Sequence, residues 1–145
     1  MSIATRRRFD DVREGEDLPE VRRTITREQI RVYAEASGDD NPLHLDDAFA
    51  RSVGFDGVIA HGMLTMGILA SCITRWAGEA AALVSMTSAF RASVAPGETV
   101  IAGGRVRSLD PGDRTATLEV WVHVERHDGA VEEPIRRSEA VVRLV

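Results

Sequence analysis

The chain has 145 residues, a formal net charge of -5, 43% hydrophobic and 28% charged residues. That length allows one domain with a sizeable core and is too short for two ordinary ones. The composition is globular rather than disordered, and the charge gives no general attraction to nucleic acid or anionic lipid.

All 18 basic residues are arginine. Schiff-base chemistry, pyridoxal anchoring and a P-loop lysine are therefore excluded. The only cysteine, Cys72, can close no internal disulfide and falls in an apolar helical run. It reads as a core residue of a protein in a reducing cytoplasm.

Residues 1–8 read as a flexible tail and residues 9–145 as the domain. The string Thr5-Arg6-Arg7-Arg8-Phe9 has the basic start of a twin-arginine signal, but Asp10, Asp11, Arg13, Glu14 and Glu16 follow it. No apolar stretch succeeds the arginines, so export is not expected. Residues 9–25 are extended in character, with a turn at Gly15 and an interruption at Pro19.

Thr26 has Gln29 three residues on, the spacing of a capping box, and Ile30, Tyr33 and Ala34 form an apolar stripe behind it. A helix is predicted there, closed by Gly38. Asp39-Asp40-Asn41-Pro42 reads as a structured loop, because proline lacks an amide donor and biases Asn41 toward extended backbone. Asp46 is placed to cap a short helix through Ser52, closed by Gly54, and a second loop runs from Gly57 to Gly62.

From Met63 to Trp76 the only charged residue is Arg75. This stretch predicts a buried central helix, too short at about 1.5 Å per residue to span a membrane comfortably. Strands are predicted near 83–94, 99–109, 114–126 and 135–144, with turns at Pro96-Gly97, Asp110-Pro111-Gly112-Asp113 and Asp128-Gly129. One helix followed by a meander makes the fold class α+β, an antiparallel sheet wrapped around a helix.

Of the four histidines, His44 and His61 lie in loops beside predicted helix starts. A loop bent at Pro42 can bring Asp39 and His44 to one point, where a carboxylate and an imidazole can share a water and move a proton at neutral pH; the residues alone also read as a turn cap and a surface or packing histidine. His61 is either a third chemical group or a brace for its loop. His123 and His127, near the Asp128-Gly129 turn, read as solvated. No histidine or cysteine set has zinc-ligand spacing, so no metal is expected.

The string Tyr33-Ala34-Glu35-Ala36-Ser37-Gly38-Asp39-Asp40-Asn41-Pro42-Leu43-His44, with Ala50 six residues later, resembles the hydratase-2 motif of the MaoC-like dehydratase family. The run Ile59-Ala60-His61-Gly62-Met63-Leu64-Thr65 resembles that family's entry into its central helix. The resemblance spans nearly the whole chain and extends to the catalytic subunit of the actinobacterial (3R)-hydroxyacyl-ACP dehydratases. Ala36 departs from the pattern, which usually has a larger aliphatic residue or glycine there.

This resemblance implies a single hotdog domain and a reversible reaction, (3R)-3-hydroxyacyl thioester to trans-2-enoyl thioester plus water. Asp39 and His44 carry over as the residues that hold and activate the water. Asn41 carries over as a loop-shaping residue, though it also reads as a plain Asn-Pro turn. Gly62 carries over as the backbone NH facing the thioester carbonyl, a role that an orphan N–H at a helix N-terminus suits.

No cofactor is implied, the acyl group being carried on the phosphopantetheine of CoA or acyl carrier protein. The expected partners are that substrate and a second hotdog subunit, as homodimer or heterodimer, with no nucleic acid or membrane. Arg91 is placed to hold a carrier phosphate or to make a structural ion pair. An acyl thioesterase on the same fold and a non-catalytic, tunnel-forming subunit are the competing readings.

Overall fold

Alternation of apolar and polar residues is cleanest in the fourth of the five strands that the described residues form. These strands are β1 (Asp17–Thr24), β2 (Leu83–Thr87), β3 (Thr99–Asp110), β4 (Thr115–Glu125) and β5 (Val131–Arg143). In the computed structural model, which describes residues 5–145, they form one antiparallel sheet in the order β1-β3-β4-β5-β2. Along β4, Ala116, Leu118, Val120, Val122 and Val124 are buried, while Thr115, Thr117, Glu119, Trp121 and His123 face outward. Period-two patterning thus gives the sheet one apolar face.

That face curves around one helix. Among the described residues four α-helices are formed: α1 (Arg27–Ser37), α2 (Pro42–Leu45), α3 (Asp47–Ser52) and α4 (Gly62–Ala77). α4 buries Leu69, Cys72, Ile73 and Trp76 against Leu18, Val100, Leu118 and Ile135 of the sheet. Each large aliphatic side chain in this layer contributes about 1.5–3 kcal/mol through burial. Burial also pushes the Cys72 thiol above its ordinary pKa, as suits a packing residue. Among the described residues no helix is long and apolar enough to cross a membrane.

The predicted capping box is present. The Gln29 N–H donates to Thr26 Oγ1 and the Thr26 N–H donates to the Gln29 side chain, both at 3.1 Å. Gly38 closes α1 in the left-handed region at φ 79°. Asp46 caps α3 by accepting from the Ala48 and Phe49 amides, as its position implied.

Several expectations need correction. Pro42 does not lie in a loop: it opens the one-turn α2, where its missing N–H costs nothing. His44 is therefore on a helical turn. The strand predicted over 83–94 ends at Thr87, and beyond it only an isolated Phe90–Ile135 bridge forms. Backbone groups of that segment instead bond elsewhere, the Val94 carbonyl accepting from Ala60 N–H at 2.7 Å.

β5 starts at Val131, four residues earlier than expected. Its Pro134 is tolerated because the register with β4 shifts between Val122 and Val124. The extended stretch 9–25 holds a short 3-10 turn, Phe9–Asp11, before β1.

Residues 1–4 of the expected tail lie outside the described residues. Within residues 5–8, Arg7 is held against α4: its N–H donates to Ala77 O at 2.9 Å and its guanidinium sits 5.0 Å from the Trp76 ring centroid.

Candidate active site

Two loops meet at the N-terminal end of α4. The first leaves α1 at Gly38, whose left-handed backbone turns Asp39 out of the helix. The Asp39 carboxylate accepts from Asn41 N–H at 3.3 Å, and Asn41 Oδ1 accepts from Leu43 N–H at 3.0 Å, starting α2. One helical turn then carries His44 inward. Asn41 is thus the cap of α2, a structural role consistent with shaping the loop.

The second loop brings Ile59 and His61 to the same place. Ile59 N–H donates to Leu43 O at 3.3 Å, and His44 Nδ1–H donates to Ile59 O at 2.7 Å. A carbonyl only accepts, so Nδ1 carries a proton, and in the neutral ring Nε2 is the nitrogen with the open lone pair. His61, 2% exposed, donates Nε2–H to Asp39 O at 2.9 Å. Its ring stacks on His44 with centroids 3.8 Å apart, and Tyr33 packs against its other side at 4.7 Å.

Asp39, His44 and His61 each offer a ligand-type atom, and these lie within 4.8 Å of one another. Sequence spacing did not reveal this trio, because His61 arrives from 22 residues away from Asp39. Its fit to a metal ion is poor. The imidazole rings are stacked, with planes 27° apart and centroids 3.8 Å apart, whereas the ligands of a tetrahedral ion approach it from well-separated directions. A carboxylate beside a free imidazole nitrogen suits proton transfer better.

Gly62 is the first residue of α4 and lines a cavity of about 360 Å³ together with His44, Ile59, Thr65 and Phe90. Its N–H has no carbonyl within the helix to bond and adds to the partial positive charge of that helix end. A Cβ at Gly62 would lie 3.1 Å from the Phe90 ring.

Asp47 is a contributor that the sequence reading missed. Its carboxylate accepts from Val58 N–H at 3.0 Å and pairs with Arg27 at 3.1 Å, tying the second loop to α3. A second acid after Asp46 reads from sequence only as a complement to the helix dipole. The Val58 amide, and then the Arg27 guanidinium, hold the Asp47 carboxyl below its ordinary value.

Because the folded pKa of Asp47 is the lower one, its stabilisation is complete above the ordinary carboxylate value and is lost as pH falls through the lowered one. Asp47→Asn keeps an acceptor for Val58 and should flatten the acid side of a stability–pH curve measured by urea unfolding. A variant curve parallel to wild type would assign that slope to other groups.

The remaining candidates lie outside the trio. His123 is not fully solvated: it pairs with Glu133 at 3.3 Å and stacks on Trp121. His127 is exposed. Arg91 lines the same cavity as His44, but among the described residues it has no carboxylate within 4.0 Å, so the structural ion pair expected for it is not formed.

The sheet wrapped around α4, with a carboxylate–imidazole cluster at the helix mouth, defines a hotdog-fold protein. The chain belongs to the MaoC-like dehydratase family: the MaoC like domain matches residues 11–127. It is similar to the (R)-specific enoyl-CoA hydratase of Rhodospirillum rubrum, 34% identical over 76% of this chain and 76% of that protein. It is also 37% identical to the 3-hydroxybutyryl-CoA dehydratase of Methylorubrum extorquens, over 94% of this chain and 83% of the relative. Among solved structures a MaoC-like dehydratase superposes with a TM-score of 0.87 at 32% identity; the match covers 98% of this chain and 43% of that one.

Proposed function

We propose that the protein catalyses the reversible hydration of a trans-2-enoyl thioester to the (3R)-3-hydroxyacyl thioester. The observation that carries this reading is the His44 imidazole, oriented by its Nδ1–H bond to Ile59 O and grouped with the Asp39 carboxylate within 4.8 Å in the loops that meet at the N-terminus of α4. It accords with the family and with the reactions named for the two relatives.

In the hydration direction Asp39 and His44 hold a water over the 2,3 double bond. The water's oxygen bonds to C3 as its proton passes to the dyad, and the C2–C3 π electrons move toward the thioester carbonyl. The Gly62 N–H stabilises the enolate-like oxygen, and a proton delivered to C2 on the same face completes the addition. Asn41 and His61 hold the first loop in place, His61 through Asp39 O. Every group used is the protein's own, with the acyl chain carried on the phosphopantetheine of CoA or of an acyl carrier protein.

The proposal includes a second hotdog subunit, identical or related, and a cytoplasmic location. Edge strands β1 and β2 and the half-exposed Val84, Met63 and Phe90 support the first. The lone, buried Cys72 supports the second.

Crotonyl-CoA provides the test. Loss of the enoyl absorbance without release of free thiol is expected, whereas thiol release would make the protein a thioesterase. Light scattering on the same sample should show at least a dimer, and a monodisperse active monomer would contradict the subunit proposal.

A further inference from the structure

Arg91 and Arg136 flank the Phe90–Ile135 bridge. Arg91 N–H donates to Pro134 O at 2.9 Å and Arg136 N–H donates to Ala89 O at 3.2 Å, so the backbone on both sides is fixed. In this antiparallel pairing residues 91 and 136 are diagonal neighbours. Both are exposed, and both line one cavity of about 530 Å³.

Arg91 also lines the cavity that holds His44 and Gly62, so the two spaces adjoin at this residue. Phe90, one residue before it, packs against Gly62. Arg91 therefore links the proposed thioester site to the cavity that it shares with Arg136.

Neither arginine has a carboxylate oxygen within 4.0 Å among the described residues. Of the two acids that line that cavity, Glu132 is paired with Arg126 at 3.1 Å and Glu133 lies 3.3 Å from His123. Like charges side by side on paired strands repel, and an anion between them relieves that repulsion. A guanidinium pair is suited to a phosphate, whose oxygens accept parallel N–H bonds.

We propose that Arg91 and Arg136 form a subsite for the 4′-phosphate of the phosphopantetheine arm that delivers the thioester. This rests on the thioester reading of the catalytic cavity. The same phosphate occurs in CoA and on acyl carrier protein, and the subsite recognises the chemistry that the two share.

Calorimetry tests this without turnover. Pantetheine, 4′-phosphopantetheine and CoA are titrated at low ionic strength into wild type, Arg91→Gln, Arg136→Gln and the double variant. Wild type should bind phosphopantetheine at least about tenfold more tightly than pantetheine, equivalent to about 1.4 kcal/mol. The double variant should erase that ratio and leave pantetheine binding unchanged.

Equal binding of CoA and phosphopantetheine supports the subsite with the carrier-protein arm as sufficient ligand. A further gain for CoA supports it with additional contacts to the nucleotide. A wild-type ratio near one, or a ratio that survives in the double variant, overturns the proposal. Failure of the hydration reading shows separately, as wild type that binds phosphopantetheine through these arginines yet does not turn over crotonyl-CoA.

Discussion

Replacing His44 with alanine, or Asp39 with asparagine, is expected to lower kcat by at least about two orders of magnitude while the fold survives. His44→Ala removes the imidazole that lies beside Asp39 and is oriented by its Nδ1–H bond to Ile59 O. His61 cannot replace it, because its ring is 2% exposed and its Nε2–H is bonded to Asp39 O.

Asp39→Asn removes the charge and keeps an oxygen to accept from Asn41 N–H, so the loop that presents His44 should persist. Neither residue is fully buried, and neither belongs to the apolar cluster between α4 and the sheet. Steady-state rates with crotonyl-CoA and far-UV circular dichroism check both halves of the expectation. Turnover near wild type in either variant would remove that residue from the mechanism.

Gly62→Pro should also lose activity, by about 10²–10³-fold, the range for loss of one oxyanion donor. The backbone is suited to this test. Gly62 is the first residue of α4, where proline is favoured, and His61 has φ -60° and ψ 135°, a conformation that a residue before proline prefers. The substitution therefore deletes an N–H without breaking a helical bond.

Gly62→Ala is the control for crowding. Its Cβ would meet the Phe90 ring at 3.1 Å, so that ring must give by a few tenths of an ångström. Alanine should retain most of the turnover that proline abolishes. A folded, active proline variant would place the oxyanion donor elsewhere.

The sequence by itself determined the features that depend on near neighbours. Period-two alternation sets the buried face of β4, the Thr26/Gln29 spacing starts α1, Gly38 ends it, and an uncharged run marks α4. These are short-range effects of backbone geometry and side-chain pattern. The motif around Asp39 and His44 was legible for the same reason, its residues lying within one loop and one helical turn.

Only the tertiary structure decided how the two loops meet. The proton on His44 Nδ1 is assigned by a carbonyl 15 residues away, and Asp39 is braced by a histidine 22 residues away. Val58 is held by Asp47, and the segment after Thr87 leaves the sheet so that Val94 O can accept from Ala60. Pro134 enters a strand only because β4 and β5 slip their register beside it. Such hydrogen bonds join segments that carry no shared local pattern, and α4 packed against the curved sheet is what brings those segments within reach.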